Sequence, residues 1–289
     1  MPLIDTHAHL NFNAYKDDIN EVVKRSLNNN IWMINVGSQY ETSKRAVEIT
    51  KRYPEGVYAA IGVHPIHLAE GIFKVKLDTE EQTFQTKNEN FDYEKYKDLA
   101  RSKKVVAIGE CGFDYYYRPK TKKKLEEFKN RQKEVFLKHL ELAKELNLPV
   151  VFHCRMAHED LIKILNEQKT ANNEQLKGVI HCFTGNWEQA QEFLKMGFYL
   201  GFNGIIFKLN LDEIIKKTPL DKILVETDCP YLIPPISENQ RIDQRKSAAV
   251  RNEPLYVKYV VEKIAKIKSL TFEEIAKFTT ENAKKLFKI

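Results

Sequence analysis

The opening segment Ile4-Asp5-Thr6-His7-Ala8-His9 sets two histidines two residues apart at the end of a short apolar run. An extended chain alternates its side chains with a period of two, so Asp5, His7 and His9 point to one side. Glu110, His153, His181 and Asp228 each follow another hydrophobic stretch. A lone histidine says little, and His67, His139 and His158 read as satisfied core or surface groups. Four buried imidazoles and two carboxylates together are different, because each is costly without a partner and clustered carboxylates need a cation to stay ionised. A pair of divalent metal ions would satisfy all six. Nitrogen and oxygen donors suit zinc, manganese, iron or cobalt, and the oxygens also admit magnesium, so donor type leaves the metal open. Six ligands exceed the three that a catalytic zinc usually takes from protein, and a shared carboxylate can hold two cations ~3.5 to 4 Å apart. Glu110 is the expected bridge: one metal falls on His7, His9, Glu110 and Asp228, the other on Glu110, His153 and His181.

Such a set needs a scaffold that brings distant segments to one place. Eight short apolar runs alternate with segments of helical period: Leu3 to Leu10, Ile31 to Ser38, Val57 to Pro65, Val105 to Asp114, Pro149 to Arg155, Lys177 to Gly185, Phe198 to Gly204 and Ile223 to Leu232. Strands buried on both faces have this composition. Eight β/α units predict an α/β fold, a (β/α)8 TIM barrel, with an open doubly wound sheet as the alternative. A barrel carries its reactive groups at the C-terminal ends of its strands, where the polar residues of these runs gather. One domain over 1–289 is expected, with a loop insertion around 70–92. The basic run Lys120 to Lys124 reads as a solvated helix entry or as part of the active-site face.

The 289 residues are 43% hydrophobic and 30% charged, which excludes disorder, collagen and a simple coiled coil. No apolar run is long enough to span a bilayer and no secretory leader is visible, so a cytoplasmic protein without membrane association is expected. The net charge of +6 is a mild fit to a polyanionic partner. The four cysteines, Cys111, Cys154, Cys182 and Cys229, each directly follow a proposed ligand. Strand alternation turns them outward, as compact buried side chains with unperturbed thiols and not as a thiolate metal site.

The chain resembles the TatD family of metal-dependent deoxyribonucleases, amidohydrolase-like metal barrels. The resemblance runs almost end to end: IDTHAHLNF at the start, GVHP at Gly62 to Pro65, AIGECGFDY at Ala107 to Tyr115, His153-Cys154-Arg155, HCFTG at His181 to Gly185, ETDCPYL at Glu226 to Leu232, RNEP at Arg251 to Pro254 and a C-terminal TTENAKKLF. The segment Gly71 to Asn90 looks longer than is typical, and Met156-Ala157 departs from the pattern after Arg155. The resemblance implies a barrel, two divalent metals (Mg, Mn or Zn) and hydrolysis of DNA phosphodiester bonds, expected as an exonuclease on single-stranded ends. A monomer acting on DNA, with no obligate protein partner, is expected.

Phosphodiester cleavage needs an activated water, charge on the non-bridging oxygens and a stabilised leaving group, which two metals can supply. Asp228 is assigned the role of general base beside its role as ligand, and Glu110 is catalytic as the bridge. His64 and Arg155 lie near the metals with none left for them, so they read as phosphate donors, the arginine in bidentate fashion. The blander readings are a loop-structuring His64 and an Arg155 paired to a carboxylate such as Asp160. Glu226 and Asp5 read as supports behind the ligands. Tyr115 and Tyr116 could stack an unpaired base, or simply pack. Two other functions compete: an amidohydrolase or esterase acting on a small molecule or an aminoacyl-RNA, and a binding module without turnover. Amidohydrolases with two metals commonly bridge them with a modified lysine, where this chain offers Glu110.

Overall fold

The structure, a computed structural model, describes residues 1–69, 91–172, 176–235 and 251–289. Most of the expected 70–92 insertion therefore lies outside the described residues. Eight parallel strands follow one another in sequence order around a single sheet: β1 (Leu3–Ala8), β2 (Ile31–Val36), β3 (Val57–Ile61), β4 (Val105–Asp114), β5 (Val150–Arg155), β6 (Gly178–Ile180), β7 (Tyr199–Phe202) and β8 (Ile223–Val225). The ring closes between its ends. Thr6 Oγ1 donates to the Val225 carbonyl at 3.1 Å, Asp228 N–H to His7 at 2.8 Å and His9 N–H to Cys229 at 2.9 Å. The architecture is the expected TIM barrel.

Around it lie α1 (Ile19–Asn28), α2 (Tyr40–Thr50), α3 (Tyr93–Leu99), α4 (Lys122–Leu146), α5 (His158–Asn172), α6 (Trp187–Lys195), α7 (Asp212–Lys217), α8 (Val257–Lys268) and α9 (Phe272–Phe287). Two apolar layers hold the barrel. Inside and below it, Ile4, Ile34, Ala60, Val106, Val151, Val179 and Leu224 pack with Ala283, Leu286 and Phe287 of α9, which seals the N-terminal end of the strands. A capping box fixes the start of α9, with Thr271 Oγ1 accepting from Glu274 N–H and Glu274 Oε2 accepting from Thr271 N–H. Between strands and helices, Phe136, Phe152 and Phe198 stack edge to face, with ring centroids 6.0 and 5.0 Å apart. Burial of each such ring stabilises the barrel by about 1.5–3 kcal/mol. With one end sealed by α9, polar side chains converge on the other.

β4, which carries Glu110, is held from a neighbouring strand and from a helix. Gly112 pairs with His153 across β4 and β5 at φ +146, and a Cβ there would collide with the His153 carbonyl oxygen. Buried Gln132 on α4 takes both backbone groups of Asp114, its Oε1 accepting from the N–H and its Nε2 donating to the carbonyl, each at 3.1 Å. Helix α4 begins at Lys122, so Lys122 to Lys124 form its exposed first turn. β6 and β8 stop short of the apolar runs that announced them, leaving His181 and Asp228 just beyond the strand ends. Among the described residues no helix is long and apolar enough to cross a membrane.

Candidate metal centre

The six expected ligands meet at the C-terminal mouth of the barrel. The two oxygens of Glu110 divide between two groups of imidazoles. Oε2 lies 3.3 Å from His7 Nε2 and 4.0 Å from His9 Nε2, while Oε1 lies 2.5 Å from His153 Nδ1 and 3.8 Å from His181 Nε2. Asp228 Oδ1 stands 3.4 Å from His9 Nε2, 3.9 Å from His7 Nε2 and 3.8 Å from His181 Nε2. Among the three-residue groups close enough to share an ion are His7–His9–Glu110 and Glu110–His153–His181. They have Glu110 in common, as a bridging carboxylate requires.

The donor set fits metal ions on physical grounds. The Nε2 atoms of His7 and His9 face each other at 3.2 Å, and His9 Nδ1 is held by the Val36 carbonyl at 2.8 Å. His9 Nδ1 thus carries a proton, and its Nε2 faces a second imidazole nitrogen. A cation between such nitrogens and the adjacent carboxylates satisfies them at once. The protein alone answers with protons. Burial opposes a charge on His181, but Glu226 and Glu110 beside it raise its pKa to about 10. Burial would push Glu110 up, yet His64, His7 and His181 hold it well below the usual carboxylate range. Burial likewise opposes ionisation of Asp228, while a hydrogen bond from His9 and the charges of His181 and His7 lower it.

Groups behind the expected ligands orient them. Glu226 is fully buried; its Oε1 lies 2.9 Å from His181 Nδ1 and accepts the Cys182 N–H at 2.7 Å and Asn203 Nδ2 at 3.2 Å. Asp5 works through the backbone. It accepts the N–H groups of His7 at 3.2 Å and Thr227 at 2.8 Å and the Thr227 hydroxyl at 2.6 Å, tying β1 to the loop after β8. Burial outweighs these hydrogen bonds and raises its pKa to about 8. Asp114 was not singled out in the sequence, yet its buried Oδ2 lies 3.1 Å from His153 Nε2. It shares strand parity with Glu110, a signal that would have found it.

His64 and Arg155 both line the cavity above the cluster, which encloses roughly 360 Å³. His64 Nδ1 accepts the Ile66 N–H at 3.1 Å, so its neutral ring carries the proton on Nε2, 3.1 Å from His153 Nδ1 and 3.5 Å from Glu110 Oε1. Burial and the charge of His153 keep His64 well below its ordinary pKa. Arg155 pairs with Asp114, at 2.8 Å from Nε and 2.7 Å from Nη2, and not with Asp160. Its guanidinium lies over the rings of Tyr116 and Tyr117, 4.5 and 5.4 Å from their centroids.

Two expectations need correction here. Tyr115 is no stacking surface: it is buried, its hydroxyl donates to Asp160 at 2.8 Å and Lys129 covers its ring at 4.3 Å. Strand parity explains this, since Tyr115 follows Phe113 on the core-facing side, and the exposed rings are Tyr116 and Tyr117. The cysteines also divide. Cys111, Cys154 and Cys229 are buried in the apolar layers, but Cys182 lines the cavity, 3.5 Å from Asn203 Oδ1. It lies beyond the end of β6 with φ +47, so alternation no longer governs it. Nor are the thiols unperturbed, because burial raises the pKa of all four.

Comparison with known proteins identifies the family. The chain matches the family model described as TatD related DNase over residues 4–288. It is 42% identical to the uncharacterized metal-dependent hydrolase YabD of Bacillus subtilis, with 99% of each chain covered. It is 31% identical to the 3'-5' ssDNA/RNA exonuclease TatD of Escherichia fergusonii, again over 99% of each. Among solved structures, YjjV, a TatD homologue from Escherichia coli, superposes with a TM-score of 0.77 at 26% identity, over 99% of this chain and 98% of that one. A barrel whose mouth gathers imidazoles and carboxylates in this order therefore has its place: the chain belongs to the TatD family of metal-dependent hydrolases.

Proposed function

We propose that this hydrolase cleaves phosphodiester bonds in DNA, as an exonuclease on single-stranded ends, with two divalent ions held on the two groups that share Glu110. The observation that carries the reading is the surround of the ligand cluster: a guanidinium and an imidazole N–H at its edge, flanked by two exposed tyrosines. Bound metals would supply an activated water and positive charge at the phosphate. Arg155 donates N–H groups to non-bridging oxygens, and His64, protonated on Nε2, donates a further hydrogen bond. Asp228 takes the proton from the attacking water. It suits that role because it is the ligand most open to the cavity, with its side chain 16% exposed against 4% for Glu110. Tyr116 and Tyr117, 4.9 Å apart and perpendicular, offer faces for an unstacked base. The printed name of the Escherichia fergusonii relative includes RNA, which supports testing both nucleic acids.

The test is release of nucleotides from labelled single-stranded DNA, single-stranded RNA and duplex DNA, with magnesium, manganese or zinc and with a chelator. Metal-dependent loss of terminal nucleotides from single strands is expected. Stable DNA with every metal, alongside hydrolysis of an aminoacyl-RNA or amide, would transfer the site to the esterase and amidohydrolase reading.

A further inference from the structure

We propose that Asp114 is a positioning residue that couples the metal centre to the phosphate-binding arm, because one buried carboxylate fixes both His153 and Arg155. Its Oδ2 takes His153 Nε2 at 3.1 Å, Arg155 Nε at 2.8 Å and Arg155 Nη2 at 2.7 Å. Its Oδ1 accepts the Tyr116 N–H at 2.9 Å, at the base of the exposed aromatic pair. Gln132 holds its backbone from both sides, and its side chain has no exposure, so it cannot turn away into water. Metal ligand, phosphate donor and aromatic platform thus share one anchor.

The consequences follow from the geometry. A carboxylate on the outer nitrogen of a histidine fixes the ring's orientation and tautomer and strengthens the inner nitrogen as a donor. Here the outer nitrogen is Nε2, and the inner one is Nδ1, 2.5 Å from Glu110 Oε1. Of the five N–H donors of Arg155, two are spent on Asp114 and three remain for an anion. Its guanidinium lies 4.5 Å from the Tyr116 ring centroid and is fixed by Asp114, so little freedom is lost when phosphate binds. His64, Asp114 and His153 could by their spacing be read as a further cation site. The guanidinium already supplies the positive charge at that oxygen, and a second cation there would be repelled. Glu226 offers a contrast: it supports His181 but touches neither Arg155 nor the tyrosines.

The substrate half of this inference rests on the phosphodiesterase reading; the metal half does not. Asp114→Asn keeps the size and an acceptor for Tyr116 but removes the charge shared by His153 and Arg155. Competition with a chromophoric chelator should show the Mn²⁺ held by Glu110, His153 and His181 bound 10–100-fold more weakly, with the other ion little changed. Inorganic phosphate, as the probe of the arm, should bind severalfold more weakly to Asp114→Asn, and Arg155→Gln should add less than twofold in that background. Wild-type affinity for both ions, or full additivity of the two substitutions, would overturn the inference. If Asp114→Asn does not fold, Arg155→Lys examines the link from the other side. Lysine cannot fork onto Asp114, so Mn²⁺ affinity should fall severalfold although Arg155 touches no metal; unchanged affinity overturns the coupling. Neither isotherm needs turnover, so failure of DNA cleavage remains distinguishable from failure of this coupling.

Discussion

His139 should make the stability of the metal-free protein depend on pH in a calculable way. It lies on α4, fully buried, with Nδ1 donating to the Val135 carbonyl at 2.8 Å and Nε2 accepting the Val63 N–H at 2.9 Å. Both nitrogens are satisfied only by the neutral ring, and burial lowers its pKa to about 4. Free imidazole titrates near 6.5, so between about 6.5 and 4 the unfolded chain holds a proton that the native protein lacks. The contribution is complete above pH 6.5 and is lost as pH falls through that window, about 2.5 pH units in all, or about 3 kcal/mol. Urea unfolding of chelator-treated protein at pH 7, 6, 5 and 4.5 measures it against His139→Gln, which keeps a donor and an acceptor but does not titrate. Wild-type stability should fall faster than the variant's by up to about 1.4 kcal/mol per pH unit. Buried His67 contributes in the same direction to both proteins and cancels in the difference. Parallel slopes would refute the placement of a neutral His139 under the Val63–His64 segment.

Glu226→Gln removes the charge behind His181, so metal affinity should drop about 10–100-fold, read by chelator competition, with little change in secondary structure. Tyr116→Ala and Tyr117→Ala should each weaken binding of single-stranded DNA, measured by fluorescence anisotropy in the presence of calcium, by about 1–3 kcal/mol and leave metal content intact. Tyr115→Phe should leave DNA binding unchanged. A small thiol reagent should modify Cys182 ahead of Cys111, Cys154 and Cys229 in the folded protein, by mass spectrometry of digests, and Cys182→Ser should retain metal.

Much of the barrel and of the side-chain cluster at its mouth was legible because both rest on simple periods. Alternation alone places His7 beside His9 and His153 on the same face as Arg155, and the eight apolar runs correspond to eight strands. The same rule, carried four residues past Glu110, reaches Asp114, and carried one further it buries Tyr115. What alternation cannot give is conformation beyond a strand end. Cys182 and Asp228 both take positive φ, +47 and +56, and a period of two has no meaning there. Long-range partners were equally invisible, since nothing local pairs Glu226 with the Cys182 N–H or Gln132 with Asp114. The function of His139 also depends on such a partner, Val63, 76 positions away.

The most direct test of a metal-driven phosphodiesterase centre built on Glu110 follows metal content and nucleotide release in one titration. Chelator-stripped protein receives manganese stepwise while bound ion and mononucleotides freed from single-stranded DNA are measured together, with Glu110→Ala in parallel. Activity should rise only as the second equivalent binds, and Glu110→Ala should hold at most one ion and release no nucleotide. Cleavage by stripped protein, or a Glu110→Ala variant that binds two ions and cuts DNA, would contradict it.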